Sequence, residues 1–95
     1  MDPSKATDLR RLLKAAAAAH HAVYGGPSDG WPQWYAEWIY GQLLQIVDGE
    51  PSVDTVVAWL RRADAKYTAE QPEGTWPGWY AEWILEWSEE GVRAD

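Results

Sequence analysis

The chain has 95 residues, 46% of them hydrophobic and 24% charged, with a net charge of −7 and no cysteine. That balance belongs to one soluble globular domain, and it excludes wholesale disorder, a fibre, a disulfide scaffold and thiolate chemistry. No run of 18 apolar residues exists, so no membrane span is expected, and the acidic balance disfavours nucleic acid, whose phosphates need basic patches.

Four helices are expected in chain order. The first runs from Pro3 to Tyr24, with Leu9, Leu12, Leu13, Ala16, Ala19/His20 and Val23 as its apolar stripe. Gly25-Gly26-Pro27 stops it, a glycine being suited to the left-handed cap and a proline to the position just beyond. The second starts at Trp31-Pro32, proline fitting a first helical turn, and runs to Val47 before Asp48-Gly49-Glu50-Pro51. The third follows Ser52, a good N-cap, and carries Val53, Val56, Val57, Leu60, Ala63 and Tyr67 on one face. It is expected to end before a polar loop from Thr68 to Thr75; the fourth helix then starts at Trp76-Pro77 and fades by Glu90-Gly91. No segment alternates with period two, so no strand is expected.

The chain also repeats itself. Trp31-Pro32-Gln33-Trp34-Tyr35-Ala36-Glu37-Trp38-Ile39 recurs as Trp76-Pro77-Gly78-Trp79-Tyr80-Ala81-Glu82-Trp83-Ile84, matching at eight of nine positions 45 residues later. Upstream, Tyr24 aligns with Tyr67 when the second loop is allowed two more residues. Each half reads as a helix, a tyrosine, a Gly/Pro loop and a Trp-rich helix. The expectation is an all-α, four-helix bundle made of two tandem helix–loop–helix repeats, about 3–48 and 52–90, with pseudo-twofold symmetry in a single domain.

Charge is sorted along the chain. Residues 1–24 and 61–67 are each net +2, whereas 25–60 and 68–95 are net −5 and −6. This favours packing odd helices against even ones, as a bias on topology: a surface pair contributes only about 0–1 kcal/mol.

Eight tryptophans and five tyrosines stand beside no phenylalanine. Each ring therefore keeps a polar handle, a composition that suits interfaces and ligand pockets. On the second helix Gln33, Glu37, Gly41, Gln45 and Asp48 form one polar stripe, and Gly78, Glu82, Glu86 and Glu90 do so on the fourth. Nearly everything else on these helices is apolar. They are expected to be central in the bundle, or to face a second chain as well. Glu37 and Glu82 read as solvent-facing members of their stripes; as an acid–base pair they would have to line a cleft.

His20 falls on the inner flank of the first helix and His21 on the outer. His20 reads as a helix-end histidine favoured by the dipole, or as a general base or ligand contact, or as a metal ligand. Adjacent histidines point about 100° apart and do not readily share one metal, and the Glu-x-x-His pattern of di-metal bundles is absent. The run Ala15–Ala19 is expected to give the indoles room, since cores alternate large with small. The serines, at 4, 28, 52 and 88, read as caps or loop residues, and Arg10-Arg11 and Arg61-Arg62 as solvated faces.

No phosphate loop, nucleophile elbow or zincin motif is present, so no cofactor, metal or catalytic residue is assigned. The functional expectation is an interaction module. Its candidate residues are Trp31, Trp34, Tyr35, Trp38, Trp76, Trp79, Tyr80 and Trp83, with His20. They would bind a protein partner, a second copy in a homodimer, or a small aromatic or cationic ligand. The alternative is a small enzyme with an aromatic-walled pocket, His20 as general base and Tyr24, Tyr35 or Tyr80 as hydrogen-bond donors. Residues Met1 to Lys5 lack a basic-then-apolar leader, so a cytoplasmic location is expected.

Overall fold

The computed structural model describes residues 3–25, 30–47 and 49–93. Its elements are α1 (Pro3–Tyr24), α2 (Trp31–Leu43), α3 (Val53–Glu70) and α4 (Trp76–Arg93), with no strand among the described residues. None of these helices is long and apolar enough to cross a membrane.

Local chemistry sets most of the boundaries. Gly25 takes φ +75° and its N–H reaches the His21 carbonyl at 2.7 Å, closing α1 in the conformation that glycine adopts without cost. The rest of the expected stop, Gly26-Pro27, lies outside the described residues, as do Ser28 and Asp48. Proline in the first turn opens α2 and α4. The Ser52 side chain accepts from the Thr55 N–H at 3.2 Å and caps α3, with Asp54 in the favourable first turn.

Three boundaries differ from the sequence expectation. α2 ends at Leu43 instead of Val47, and the chain tightens there into three-residue turns, Gln45 bonding to Gln42 and Ile46 to Leu43. The Tyr40 hydroxyl donates to the Pro51 carbonyl at 2.7 Å and Gly49 turns at φ +80°, so the returning chain is tied close to the end of α2. α3 continues through Thr68 to Glu70, supported by a Lys66–Glu70 ion pair, and stops at Gln71 in the left-handed conformation. α4 extends to Arg93. Ser88 is not a cap: it is buried within α4 and its hydroxyl bonds back to the Leu85 carbonyl at 2.8 Å.

The helices pack as a bundle. α1 and α3 each lie against both α2 and α4, while α1–α3 and α2–α4 are the diagonals. The even helices therefore stand at opposite corners and are not central. α3 at its observed bounds is net neutral, so the odd-against-even charge bias rests on α1 and on the Arg61–Lys66 stretch. Leu9, Leu13, Ile39, Leu43, Val56, Leu60 and Ile84 are fully buried and supply the core. Val23, expected on the buried stripe, is 65% exposed because it sits in the last turn of α1, where the chain leaves the bundle. The single mismatch between the Trp-rich elements falls at positions with different neighbours. Gln33 is exposed, whereas a Cβ at Gly78 would come into van der Waals contact with the Arg10 Cδ at 3.8 Å.

Candidate functional site

Each Trp-rich element carries two pairs of rings at i, i+4. Trp31/Tyr35 and Trp76/Tyr80 are the first pairs; Trp34/Trp38 and Trp79/Trp83 are the second, displaced by three positions, or about 60° around the helix. The structure gives the two pairs different surroundings. The first pairs converge at the end of the bundle where α2 and α4 begin and α1 and α3 finish. The second pairs lie on the flanks of their own helices.

At the point of convergence is an open cavity of about 400 Å³, walled by Trp31, Tyr35, Trp76 and Tyr80, by Tyr67 and Asp64 of α3, and by Ala17, His20 and His21 of α1. Its rings form one chain. Trp31 meets Tyr35 at 5.4 Å, Tyr35 meets Trp76 at 6.2 Å, Trp76 meets Tyr80 at 4.8 Å, and Tyr80 meets Tyr67 at 6.2 Å. Neighbouring planes are inclined by 50–80°, so the rings do not lie in a stack. The Tyr35–Trp76 contact is the bridge between the two Trp-rich helices, which otherwise stand apart on their diagonal.

Polar groups are few and placed. The Tyr80 hydroxyl donates to Asp64 Oδ1 at 3.1 Å, and the Tyr67 hydroxyl to the Gly74 carbonyl at 3.0 Å. The Tyr35 hydroxyl has no hydrogen-bond partner among the described residues. His20 is 4% exposed and packs ring to ring with Tyr24, Trp34 and Tyr35 at 4.8–5.3 Å; His21 is exposed. His20 is thus buried and His21 exposed, as their helical phase predicts, yet both border the cavity. No group of three acidic or histidine side chains suited to a metal occurs among the described residues.

Burial, the Asp64 charge and the hydrogen bond to Asp64 push the Tyr80 phenol well above its ordinary value, and burial raises Tyr35 too. Both rings bind their protons more tightly in the folded state than in the unfolded one. The stability they contribute is whole below the ordinary tyrosine value of about 10 and is lost as pH rises above it towards the folded value. An alkaline titration followed by phenolate absorbance should show Tyr35 and Tyr80 ionising late and together with unfolding. Tyr80→Phe should flatten the alkaline loss of stability. Ionisation of Tyr35 and Tyr80 at the ordinary value, with the fold intact, would contradict this.

The remaining site candidates lie elsewhere. Trp34 and Trp38 stack at 6.4 Å along α2, and Trp38 is 40% exposed beside Asp8, Arg11 and Ala15. Trp79 donates its Nε1–H to the Glu73 carbonyl at 2.8 Å, and Trp83 is buried. Glu37 and Glu82 are exposed and stay outside the cavity, as their stripes predict. Within the alanine run, Ala16 is fully buried, Ala17 borders the cavity beside Trp31 and Trp76, and Ala18 is exposed, so part of the run serves close approach. The wall residues His21, Asp64 and Tyr67 are not among the candidates that the sequence offers. Their signal is the repeat register, which pairs Tyr67 with Tyr24 and Asp64 with His21. Comparison with family models, with curated proteins and with solved structures finds no match to this chain.

Proposed function

We propose that this chain is a small binding module: two tandem helix–loop–helix units, related by a pseudo-twofold axis, whose leading aromatic pairs enclose a site for a small ligand. One observation carries the reading. Five Trp and Tyr rings from three helices surround a cavity of about 400 Å³ at the junction of the halves, within the ~300–1,000 Å³ of small-molecule sites. Aromatic side chains recruited only for stability would interdigitate and leave little space. Here they line an open cavity, with the Tyr35 hydroxyl available to a guest.

Catalysis has less support. Among the described residues the wall contains no serine, threonine or lysine to act as nucleophile, and His20 is wrapped in rings. Self-association or a protein partner is favoured by a separate observation, the exposure of Trp38, Val23 and Tyr24. Light scattering tests it, and a monomer at every concentration would remove the self-association form.

The test of the ligand site is a titration of the protein with small aromatic and amine compounds, followed by Trp fluorescence and by ring-proton resonances. Shifts confined to Trp31, Tyr35, Trp76 and Tyr80 and their neighbours, absent in Trp76→Ala, are the expected result. Saturating compound with those resonances unmoved would refute the site.

A further inference from the structure

We infer that the ligand of this cavity is a compact alkylated ammonium, held by the aromatic walls with Asp64 as its counter-ion; the inference rests on the cavity being a ligand site. Among the described residues, Asp64 is the only carboxylate in the wall. The four helix ends that meet here are the beginnings of α2 and α4 and the ends of α1 and α3, so their dipole charges oppose one another in pairs. Among the described residues Asp64 is left as the formal negative charge of the site. Its position is held: Oδ1 receives the Tyr80 hydroxyl at 3.1 Å, while the residue itself is exposed and keeps its other oxygen available.

The ring planes supply the second half of the recognition. A cation is attracted to the face of Trp or Tyr within about 6 Å of the centroid. This chain already uses the chemistry twice on α4, with the Arg62 guanidinium 4.2 Å from the Trp87 ring and Lys66 Nζ 5.2 Å from Trp83. Those two cations belong to the fold. In the cavity the walls Trp31, Tyr35, Tyr67, Trp76 and Tyr80 are inclined to one another and have no Lys or Arg among them.

The scarcity of acceptors selects among cations. A primary ammonium carries three N–H donors that all need partners after leaving water. The wall offers one carboxylate, two histidines and phenols, and two of the phenol hydrogens already serve Asp64 and Gly74. A trimethylammonium group has no N–H to satisfy, and its methyl groups present a diffuse charge to the rings. Asp64 stands where the first repeat has His21, so the two halves bring unlike groups to the same rim.

The experiment compares choline, its neutral carbon isostere 3,3-dimethylbutan-1-ol, and ethanolamine, titrated by calorimetry at one pH and ionic strength into the full chain and into Asp64→Asn. Choline should bind the wild type about tenfold or more tighter than either comparison compound. Asp64→Asn should remove about that factor for choline and leave the isostere unchanged. Equal binding of choline and isostere, indifferent to Asp64→Asn, would overturn the cation while leaving the cavity as an apolar ligand site. Ethanolamine binding as tightly as choline would overturn the alkylated class. If none of the three binds, the alkylated-ammonium inference fails, while the ligand site itself stands or falls on the ring-proton titration with aromatic and amine compounds. The wild-type comparison decides the charge question even if Asp64→Asn is perturbed.

Discussion

Replacing Tyr35 with alanine is expected to lower stability by about 3–5 kcal/mol, the range for deleting a buried aromatic ring, whereas Tyr35→Phe should stay within about 1 kcal/mol of the wild type. The difference follows from which part of the side chain is engaged. The ring touches His20 on α1, Trp31 and Trp34 on its own helix and Trp76 on α4, so it joins three helices at once. The hydroxyl has no partner among the described residues, and removing it breaks no internal bond. A domain of this size holds roughly 5–15 kcal/mol in total, so the alanine variant should be close to unfolding at ambient temperature. Urea denaturation of both variants checks it. A phenylalanine variant as damaged as the alanine one would show that the phenol oxygen, not the ring, holds the junction. Ligand titration of the stable phenylalanine variant then reports separately on whether the hydroxyl serves a guest.

What is legible in the sequence is whatever a few adjacent residues decide. Gly25, Ser52 and the two Trp-Pro pairs fix helix ends through their own backbone conformation or side-chain cap, and all four stand at the ends that the sequence assigns them. The inner placement of His20 and the outer placement of His21 follow from helical phase alone. The end of α2 is not legible, because Leu43 to Val47 is an apolar-rich run that suits a helix and a buried turn equally. The choice falls to a distant tether, Tyr40 to Pro51. Thr68 to Glu70 reads as loop by polarity, yet Lys66 and Glu70 are spaced to pair on a helix and the turn continues.

The site divides in the same way. The i, i+4 pairing of rings is written in the repeat, but which pair faces the junction depends on how α2 and α4 are rotated against α1 and α3. That is a property of the whole core and of no single motif. With the helices on a diagonal, only the leading rings reach across, and Trp34, Trp38, Trp79 and Trp83 are turned to the flanks. In the sequence Asp64 is one more surface acid, and only the convergence of four helix ends gives it a cavity to face.

The sharpest consequence of that geometry is that identical repeat positions should differ in energy. Trp83→Ala is expected to cost about 3–5 kcal/mol and Trp38→Ala about 1 kcal/mol or less. Trp83 is 7% exposed, packs against Trp79 at 5.8 Å and Tyr80 at 6.4 Å, and lies under Lys66. Trp38 is 40% exposed and keeps one stacked neighbour, Trp34. The cause lies on the preceding helix of each half. In the repeat register Lys66 corresponds to Val23, and Arg62, which covers Trp87, corresponds to Ala19. Long basic stems on α3 spread over the α4 indoles and shield them, whereas α1 offers a short side chain and an exposed valine. Thermal or urea unfolding of the two variants measures the contrast. Equal losses would mean that the repeat, and not the cover supplied by Lys66 and Arg62, sets the energy of the position. The Lys66→Ala variant should then narrow the gap by exposing Trp83 as Trp38 is exposed, with a red shift in Trp emission to mark it.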